Sequence, residues 1–182
     1  FWFLALGHST SLLPVGAVMT HLVLHINGEL GYSLTVAGFV VSFMTLMQIV
    51  GLAGTGFLGD RINKRSIVII CMMLHAIGML LLSYANNIWM VVGFAAFHGI
   101  AWGSRGPLMQ AIRADYFGTS HFGSIMGWSS VIVMLGMAIG PVFAGYIADQ
   151  TGSYQTAFTS LSAAALIGAI FFLLAKQPYH SK

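Results

Sequence analysis

The feature that most constrains this chain is a series of six apolar stretches, each long enough to cross a lipid bilayer as a helix. A transmembrane helix needs about 20 predominantly apolar residues. Backbone N–H and C=O groups cannot stay unpaired in lipid, so these segments are predicted to be helices. Alternating ten-residue stretches, typical of transmembrane strands, are absent from the sequence. An all-α integral membrane domain is therefore predicted over 1–182, with spans near 1–25, 35–58, 66–84, 88–112, 121–148 and 156–175.

The composition excludes a water-soluble domain. Hydrophobic residues make up 58% of the chain and charged residues only 6%, whereas about a quarter of the residues in a soluble domain are charged. The net charge of +3 is therefore interpreted as topology information and not as a nucleic-acid-binding signal. The single cysteine, Cys71, can form neither a disulfide within the chain nor a zinc site, so no metal and no cofactor are predicted.

The charges in the connections between spans predict the orientation. Lys and Arg occur in alternate connections, at positions 61, 64, 65, 113, 176 and 182, whereas the other connections carry Glu29 and Asp149. Positive residues collect on the cytoplasmic side of a membrane. We therefore expect a cytoplasmic loop between the second and third spans and a cytoplasmic C-terminus, in a cell (inner or plasma) membrane. Arg105 is then the one charged residue well inside a span.

Two segments of the chain resemble each other. Each ends the middle span of a three-span group, the first on the predicted inner side and the second on the outer side. Inverted repeats of this kind are a building plan of secondary transporters, and chance similarity between glycine-rich helices is the alternative. The segments are GLAGTGFLGDR (51–61) and GPVFAGYIADQ (140–150), which align Gly51 with Gly140, Gly56 with Gly145 and Asp60 with Asp149.

The segment GFLGDRINKR (56–65) carries a family resemblance. It looks like the signature loop of the major facilitator superfamily, with Asn63 where the family usually has glycine. Asn and Gly both tolerate positive φ, so the replacement is compatible with a tight turn there. The residues that carry the resemblance are Gly56, Asp60, Arg61, Lys64 and Arg65.

The resemblance covers essentially all 182 residues and implies the C-terminal half of a twelve-helix fold. The stretch HLVLHINGELGYS (21–33) is similar to the end of helix seven. The stretch SRGPLMQAIRADYFGTSHFGSIMG (104–127) resembles helices ten to eleven of the organic-anion porters, including monocarboxylate and oxalate/formate porters. We therefore expect a fragment that lacks its N-terminal six-helix half, with a half-length protein paired to another subunit as the alternative. The implied function is transport of a small solute by alternating access, plausibly an organic anion in symport with H⁺.

The resemblance also implies a latch at the signature loop. Asp60 would contact a helix N-terminus of the missing half, where the helix dipole stabilises a carboxylate. Arg61 and Arg65 would hold the loop against lipid phosphates or nearby carboxylates. A basic topological anchor is the alternative, although charge bias alone does not explain an adjacent acid.

Several polar residues inside the spans are candidate contacts for substrate or protons. An arginine at membrane depth normally faces protein or a water-filled cavity, so Arg105 either binds an anion or holds helix ends together. His21 and His25 share a helical face and, like His8, could exchange protons; they are equally consistent with structural histidines. Gln48 could face substrate or hydrogen-bond another helix. His75 and His98 are interpreted as single structural histidines.

The fifth span is predicted to bend and to pack closely. Glycine lets helices approach one another, and proline removes a helix hydrogen bond and allows a hinge. Close packing alone is the alternative interpretation. The residues concerned are Gly136, Gly140, Pro141 and Gly145.

Six apolar spans are also consistent with two other functional classes. Six spans would suit an intramembrane serine protease, but GSRG (103–106) places Ser104 second instead of third, and the last span contains no histidine. No activated nucleophile is predicted, so the chain is not expected to be an enzyme. A non-transporting membrane sensor on the same scaffold remains the alternative to a transporter.

Overall fold

The computed structural model describes residues 1–118, 120 and 122–177, and every regular element in this part of the chain is helical. The predicted start of the fifth span at His121 and the terminal Lys182 lie outside the described residues. The all-α prediction is confirmed. The helices are α1 (Trp2–Leu24), a π-helical turn (His25–Glu29), α2 (Leu34–Gly59), α3 (Lys64–Ser83), α4 (Ile88–Phe117), α5 (Phe122–Thr151) and α6 (Gln155–Leu174).

Five of these helices are long and apolar enough to cross a membrane. They are α1 with its π-helical turn, α2, α3, α5 and α6. The fourth predicted span corresponds to α4, which does not meet the same criterion within the described residues. Its apolarity is lower because it carries polar side chains that the bundle buries: His98, Ser104, Arg105 and Arg113.

The ends of the helices follow capping and turn chemistry. Ser33, Asn63 and Asn87 each precede a helix and accept a hydrogen bond from a backbone N–H of its first turn. Asn63 follows the turn at residues 60–62 with a φ of −55°, and its side chain caps α3 by accepting from the N–H of Arg65 at 3.0 Å. Helix α4 continues past the predicted boundary at 112 and stops at Gly118, whose φ of 70° favours glycine.

The helices form one bundle in which α1 and α5 run parallel to each other, as do α2 and α4. Helix α1 packs against α5 and α6, α4 packs against α2 and α3, and α3 packs against α6. Only 22% of the most apolar window of α2, and the same share of α5, is buried, against 61% for α1. Helices α2 and α5 therefore turn broad apolar faces away from the bundle.

Glycines bring α1 and α5 into backbone contact. A Cβ atom at Gly16 of α1 would overlap the carbonyl oxygen of Met137, and one at Gly140 of α5 would overlap that of Leu13. Any larger residue would force the helices apart.

The same arrangement joins α2 to α4. A Cβ atom at Gly51 of α2 would overlap the carbonyl oxygen of Ile100, and one at Gly103 of α4 would overlap that of Gln48. These contacts set the rotation of α4 and thereby the direction in which its polar residues point.

Candidate functional site

Arg105 lies in the interior of the bundle, with 1% of its surface exposed. It is about 26 Å along α4 from Ile88 and about 18 Å from Phe117, at 1.5 Å per residue. Its Nη1 donates to Nε2 of His75 on α3 at 2.9 Å and to the carbonyl oxygen of Ser11 on α1 at 3.5 Å. The side chain thus joins three helices at membrane depth.

The contact with Arg105 determines which nitrogens of two neighbouring histidines carry protons. Because a guanidinium only donates, Nε2 of His75 accepts and its proton sits on Nδ1. That Nδ1 lies 3.1 Å from Nδ1 of His98, which must accept and carry its own proton on Nε2. Both histidines are fully buried. His75 and His98, interpreted from the sequence as single structural histidines, form one hydrogen-bonded chain with Arg105.

Arg113 is a second buried cation on α4. It was assigned to a connection between spans, but it lies inside α4 with 3% of its surface exposed. Its Nη2 donates to Nδ1 of His8 at 3.2 Å and to the hydroxyl of Ser129 at 2.5 Å, and its Nη1 donates to the carbonyl of Met109 at 3.2 Å. The side chain turns inward because residues seven and eight apart share one face of a helix, and Arg105 already occupies the face toward α1.

The two guanidinium groups have only neutral partners. Carbonyls, imidazoles and one hydroxyl accept their hydrogen bonds, and no carboxylate contacts either group within the described part of the chain. Nε of Arg105 and Nε2 of His98 are buried without a hydrogen-bond partner among the same residues. A buried charge is costly unless it is paired, so this interior favours a negatively charged group.

A second polar cluster lies at the far end of α1. His25, on the π-helical turn, faces the Glu29 carboxylate through Nδ1 at 2.9 Å and the Leu82 carbonyl through Nε2 at 3.3 Å. Neither oxygen can donate, so both hydrogen bonds form together only when the ring is doubly protonated. Glu29 also accepts from the backbone N–H of Tyr154 at 2.8 Å. The cluster ties the end of α1 to α3 and to the start of α6.

His21 stands one turn before His25 and belongs to the same cluster. Its Nε2 donates to the carbonyl of Pro141 at 3.0 Å, so its Nδ1 accepts from the hydroxyl of Tyr154 at 2.9 Å. Burial, together with the charges of Glu29 and Asp149, raises the pKa of Tyr154 above its ordinary value. The cluster therefore favours the neutral, donating form of this tyrosine.

The signature loop lies at the opposite end of the bundle. Lys64 pairs with Asp115 of α4 at 2.7 Å, and Arg65 donates to the carbonyl of Leu173 near the end of α6 at 2.6 Å. Arg61 stacks on the ring of Phe57, with its guanidinium carbon 4.0 Å from the ring centre. The loop is therefore attached to α4 and α6 by its cations.

Asp60 and Gly56 are exposed at this same end. The Asp60 carboxylate has no hydrogen bond or ion pair with any residue in the described ranges, and a Cβ atom at Gly56 would meet nothing within 4 Å there. The loop thus carries an exposed acid, which lines a cleft with Pro107 and Ala111 of α4.

Gln48 and the fifth-span residues occupy other positions. Gln48 lines a cleft of about 260 Å³ between α1, α2 and α4, together with Thr45 and Trp102. A Cβ atom at Gly136 would overlap Ser9 of α1, whereas one at Gly145 would lie 3.4 Å from the His21 ring. These glycines lie along the α1–α5 contact, next to Pro141, whose carbonyl accepts from His21.

The structure brings some predicted residues together and separates others. Arg105 and His8 share the interior of the bundle, His21 and His25 meet around Tyr154, and the signature loop stands apart from both. Sequence reasoning missed Arg113, His75 and His98 as partners. A signal existed for two of them, because His98, Arg105 and Arg113 are spaced to share one face of α4; nothing local marks His75 on α3.

A family model described as the Major Facilitator Superfamily matches residues 4–182. Human monocarboxylate transporter 7 is 28% identical over 152 residues, which are 81% of this chain and 29% of that protein. The probable galactarate/D-glucarate transporter GudP of Escherichia coli (strain K12) is 28% identical over 152 residues, 79% of this chain and 34% of that protein. The tetracycline resistance protein, class B, of Escherichia coli is 25% identical over 137 residues, 75% of this chain and 33% of that protein. The chain thus spans about a third of the length of these relatives.

Solved structures share the arrangement of helices. A structure described for proton dependent oligopeptide transporters superposes with a TM-score of 0.84 at 18% identity, covering 97% of this chain and 41% of that one. The tetrameric PepTSo2 crystal structure superposes with a TM-score of 0.80 at 18% identity, covering 96% and 39%. At this level of identity the likeness establishes the fold alone.

Proposed function

Because the chain belongs to the major facilitator superfamily, we propose that it is part of a secondary transporter that moves a small organic anion by alternating access. The observation that carries the proposal is the buried guanidinium of Arg105, which has only neutral partners among the residues described. A guanidinium presents its donors in a fork that matches a carboxylate. Membership of a transporter family, with transporters as relatives, also makes an enzyme the wrong class for this chain.

The names of two relatives support a carboxylate as the transported group. One is a monocarboxylate transporter and the other a probable galactarate/D-glucarate transporter. The tetracycline resistance protein indicates how widely cargo varies among relatives of similar identity. The main support for an anionic substrate is therefore the buried arginine, and the names of the relatives add to it.

We propose further that the chain is one half of the transporter and is built of two inverted three-helix repeats. In support, the glycine contacts between α2 and α4 recur in the same register between α5 and α1. Gln48 lies three residues before Gly51, and Met137 lies three before Gly140. Likewise, Gly103 of α4 follows Ile100 by three residues, and Gly16 of α1 follows Leu13 by three. The broad apolar faces of α2 and α5 would then meet the rest of the protein.

The signature loop is proposed to act as a latch between the halves. Its cations are occupied within this half, whereas the exposed Asp60 carboxylate has no partner among the described residues. A carboxylate in that position suits a helix N-terminus of the other half. The bias of Lys and Arg supports a cytoplasmic position for this loop and for the C-terminus, in a cell membrane.

Coupling to H⁺ is proposed through histidines of this half. His21, His25 and His8 each make hydrogen bonds that depend on the protonation state of the ring. Symport would follow if one of these rings gained a proton with the substrate and lost it on the other side.

The test uses the full-length protein that contains this chain, reconstituted into proteoliposomes. We expect saturable uptake of a carboxylate such as lactate or succinate, and a large loss of uptake in Arg105→Gln. Arg105→Lys keeps the charge without the fork and should retain part of the uptake, while Lys176→Gln, which removes an exposed cation, should leave it unchanged. Wild-type protein that binds carboxylates but does not move them would establish the sensor alternative.

The latch has its own test. Asp60→Ala is expected to leave membrane insertion intact and to reduce uptake, because the carboxylate contact between the halves is lost. Asp115→Asn, at the same end of the bundle, removes only an exposed ion pair with Lys64 and should change uptake little. Normal uptake by a well-expressed Asp60→Ala protein would contradict the latch.

A further inference from the structure

Resting on the proposed function, we infer that Arg105, Arg113 and His8 form a single two-cation site that takes a short-chain dicarboxylate. The proposed function invokes one anion at Arg105. The structure adds a second guanidinium that reaches the same turn of α1, together with an imidazole N–H.

The two guanidinium groups converge on one turn of α1. Arg113 donates to the ring of His8, and Arg105 donates to the carbonyl of Ser11. Ser11 in turn donates its hydroxyl to the His8 carbonyl at 2.5 Å, so both contacts belong to the same helical turn. Two cations that reach one helical turn can each take one carboxylate of a short diacid.

The two positive charges of the site favour a ligand with two negative charges. Both guanidinium groups are almost completely buried, and no acid contacts either one within residues 1–118, 120 and 122–177. All four Asp and Glu residues of the chain lie near helix ends or connections: Glu29, Asp60, Asp115 and Asp149. A monoanion would leave one buried positive charge unpaired, and an unpaired buried charge is strongly unfavourable. A dianion would neutralise both cations.

The donors available at the site fit carboxylate oxygens. Nε of Arg105 is buried without a partner in the described part of the chain. Nδ1 of His8 accepts from Arg113, so the neutral ring carries its proton on Nε2 and can donate a further hydrogen bond. His8 is also the partly exposed member of the group. A ligand would therefore enter the site past His8.

One carboxylate could instead come from an acidic side chain in the rest of the full-length protein. A ligand carboxylate and a protein carboxylate would pair with Arg113 in the same way, but they predict different effects of removing Arg113 on ligand binding. If Arg113 holds a protein carboxylate, removing it does not change the preference of the site for diacids over monoacids. If it holds the second carboxylate of the ligand, the preference disappears.

The experiment measures binding of succinate and of lactate to the purified full-length protein by calorimetry, separately from uptake. Wild type is expected to bind succinate more tightly than lactate. Arg113→Gln should weaken succinate binding about tenfold or more, equivalent to about 1.4 kcal/mol, and leave lactate binding within about twofold. Lys176→Gln is the matched control and should change neither. Unchanged succinate binding in Arg113→Gln, or equal weakening of both ligands, would overturn the site.

A variant that retains the charge covers the case in which Arg113→Gln does not fold. Arg113→Lys should still prefer succinate to lactate, with weaker binding because a lysine lacks the bidentate fork. A folded Arg113→Lys protein without that preference also overturns the proposal. If the protein takes up lactate and Arg113 has no effect on the preference for succinate over lactate, the two-cation site is ruled out but the transporter function is not. If succinate binding depends on Arg113 but no uptake occurs, the two-cation site is supported and the transporter function is contradicted.

Discussion

The guanidinium of Arg105 donates to Nε2 of His75 across 2.9 Å, and this contact joins α4 to α3 in the interior of the bundle. Among the described residues, His75 is the one side chain that accepts from Arg105, and its Nδ1–H donates to Nδ1 of His98 at 3.1 Å. A buried cation is thereby held by neutral groups only. The pair therefore links the proposed anion site to the packing of α3 against α4.

His75→Leu is expected to destabilise the protein. The substitution removes the acceptor of a buried charged donor, which costs about 1–3 kcal/mol. The measurement is the thermal unfolding midpoint of the full-length protein in detergent. His75→Gln, which keeps an acceptor oxygen, should recover part of the loss, and an unchanged midpoint in His75→Leu would show that Arg105 does not depend on His75.

Gly140→Ala is expected to disrupt the contact between α1 and α5. The new Cβ atom would overlap the backbone carbonyl of Leu13, which cannot move independently of its helix. Overpacking of this kind costs about 1–3 kcal/mol, and the unfolding midpoint should fall accordingly. Gly127→Ala on the same helix is the control, because its Cβ atom would meet nothing within 4 Å among the described residues. Equal midpoints for the two variants would contradict the close approach.

Glu29→Gln is expected to loosen the far end of α1. The carboxylate pairs with the ring of His25 and accepts from the backbone N–H of Tyr154, so losing its charge should cost about 1–3 kcal/mol. Asp149→Asn removes an exposed carboxylate at the same end and should stay within about 0.5 kcal/mol of wild type. Unfolding midpoints of the two variants measure the difference, and similar values would argue against a stabilising role for the His25–Glu29 pair.

Tyr154 gives the far end of α1 a predicted alkaline pH dependence. Burial, Glu29 and Asp149 raise its pKa in the folded protein. A raised pKa contributes stability that is fully present below the unfolded value near 10 and is lost as pH rises through the folded pKa. Tyr154→Phe lacks this group, so the stability difference between wild type and the variant should fall above about pH 10. A difference that stays constant between about pH 8 and pH 11 would contradict the assignment.

Much of the fold was predictable from the sequence because it depends on local properties. Runs of apolar residues must be helical in lipid, and five of the six predicted spans correspond to helices that are apolar and long enough to cross it. Asn63 shows the limit of local reasoning. Its side chain caps α3 with negative φ, although the residue tolerates either sign. The choice was made by the start of the next helix, whose first N–H groups need an acceptor.

The candidate site was predictable only in part. Arg105 was found because a charge inside an apolar span is conspicuous. The sequence places Arg113 in a connection because the predicted fourth span ends at residue 112. Helix α4 instead continues to Phe117, and the Arg113 side chain turns inward. The partnership of His75 with Arg105 links residues on different helices, and no spacing along the chain encodes it.

By itself, the sequence determined that this chain lies in a membrane, which segments are helical, and that a signature loop with an acid joins two of them. These follow from hydrophobicity, length and motif, which act within a few turns of helix. Only the tertiary structure decided that two arginines, both without an acidic partner in the part of the chain it describes, meet at one turn of α1. That convergence depends on the rotation of α4 against its neighbours, which glycine contacts between distant backbone segments set through packing.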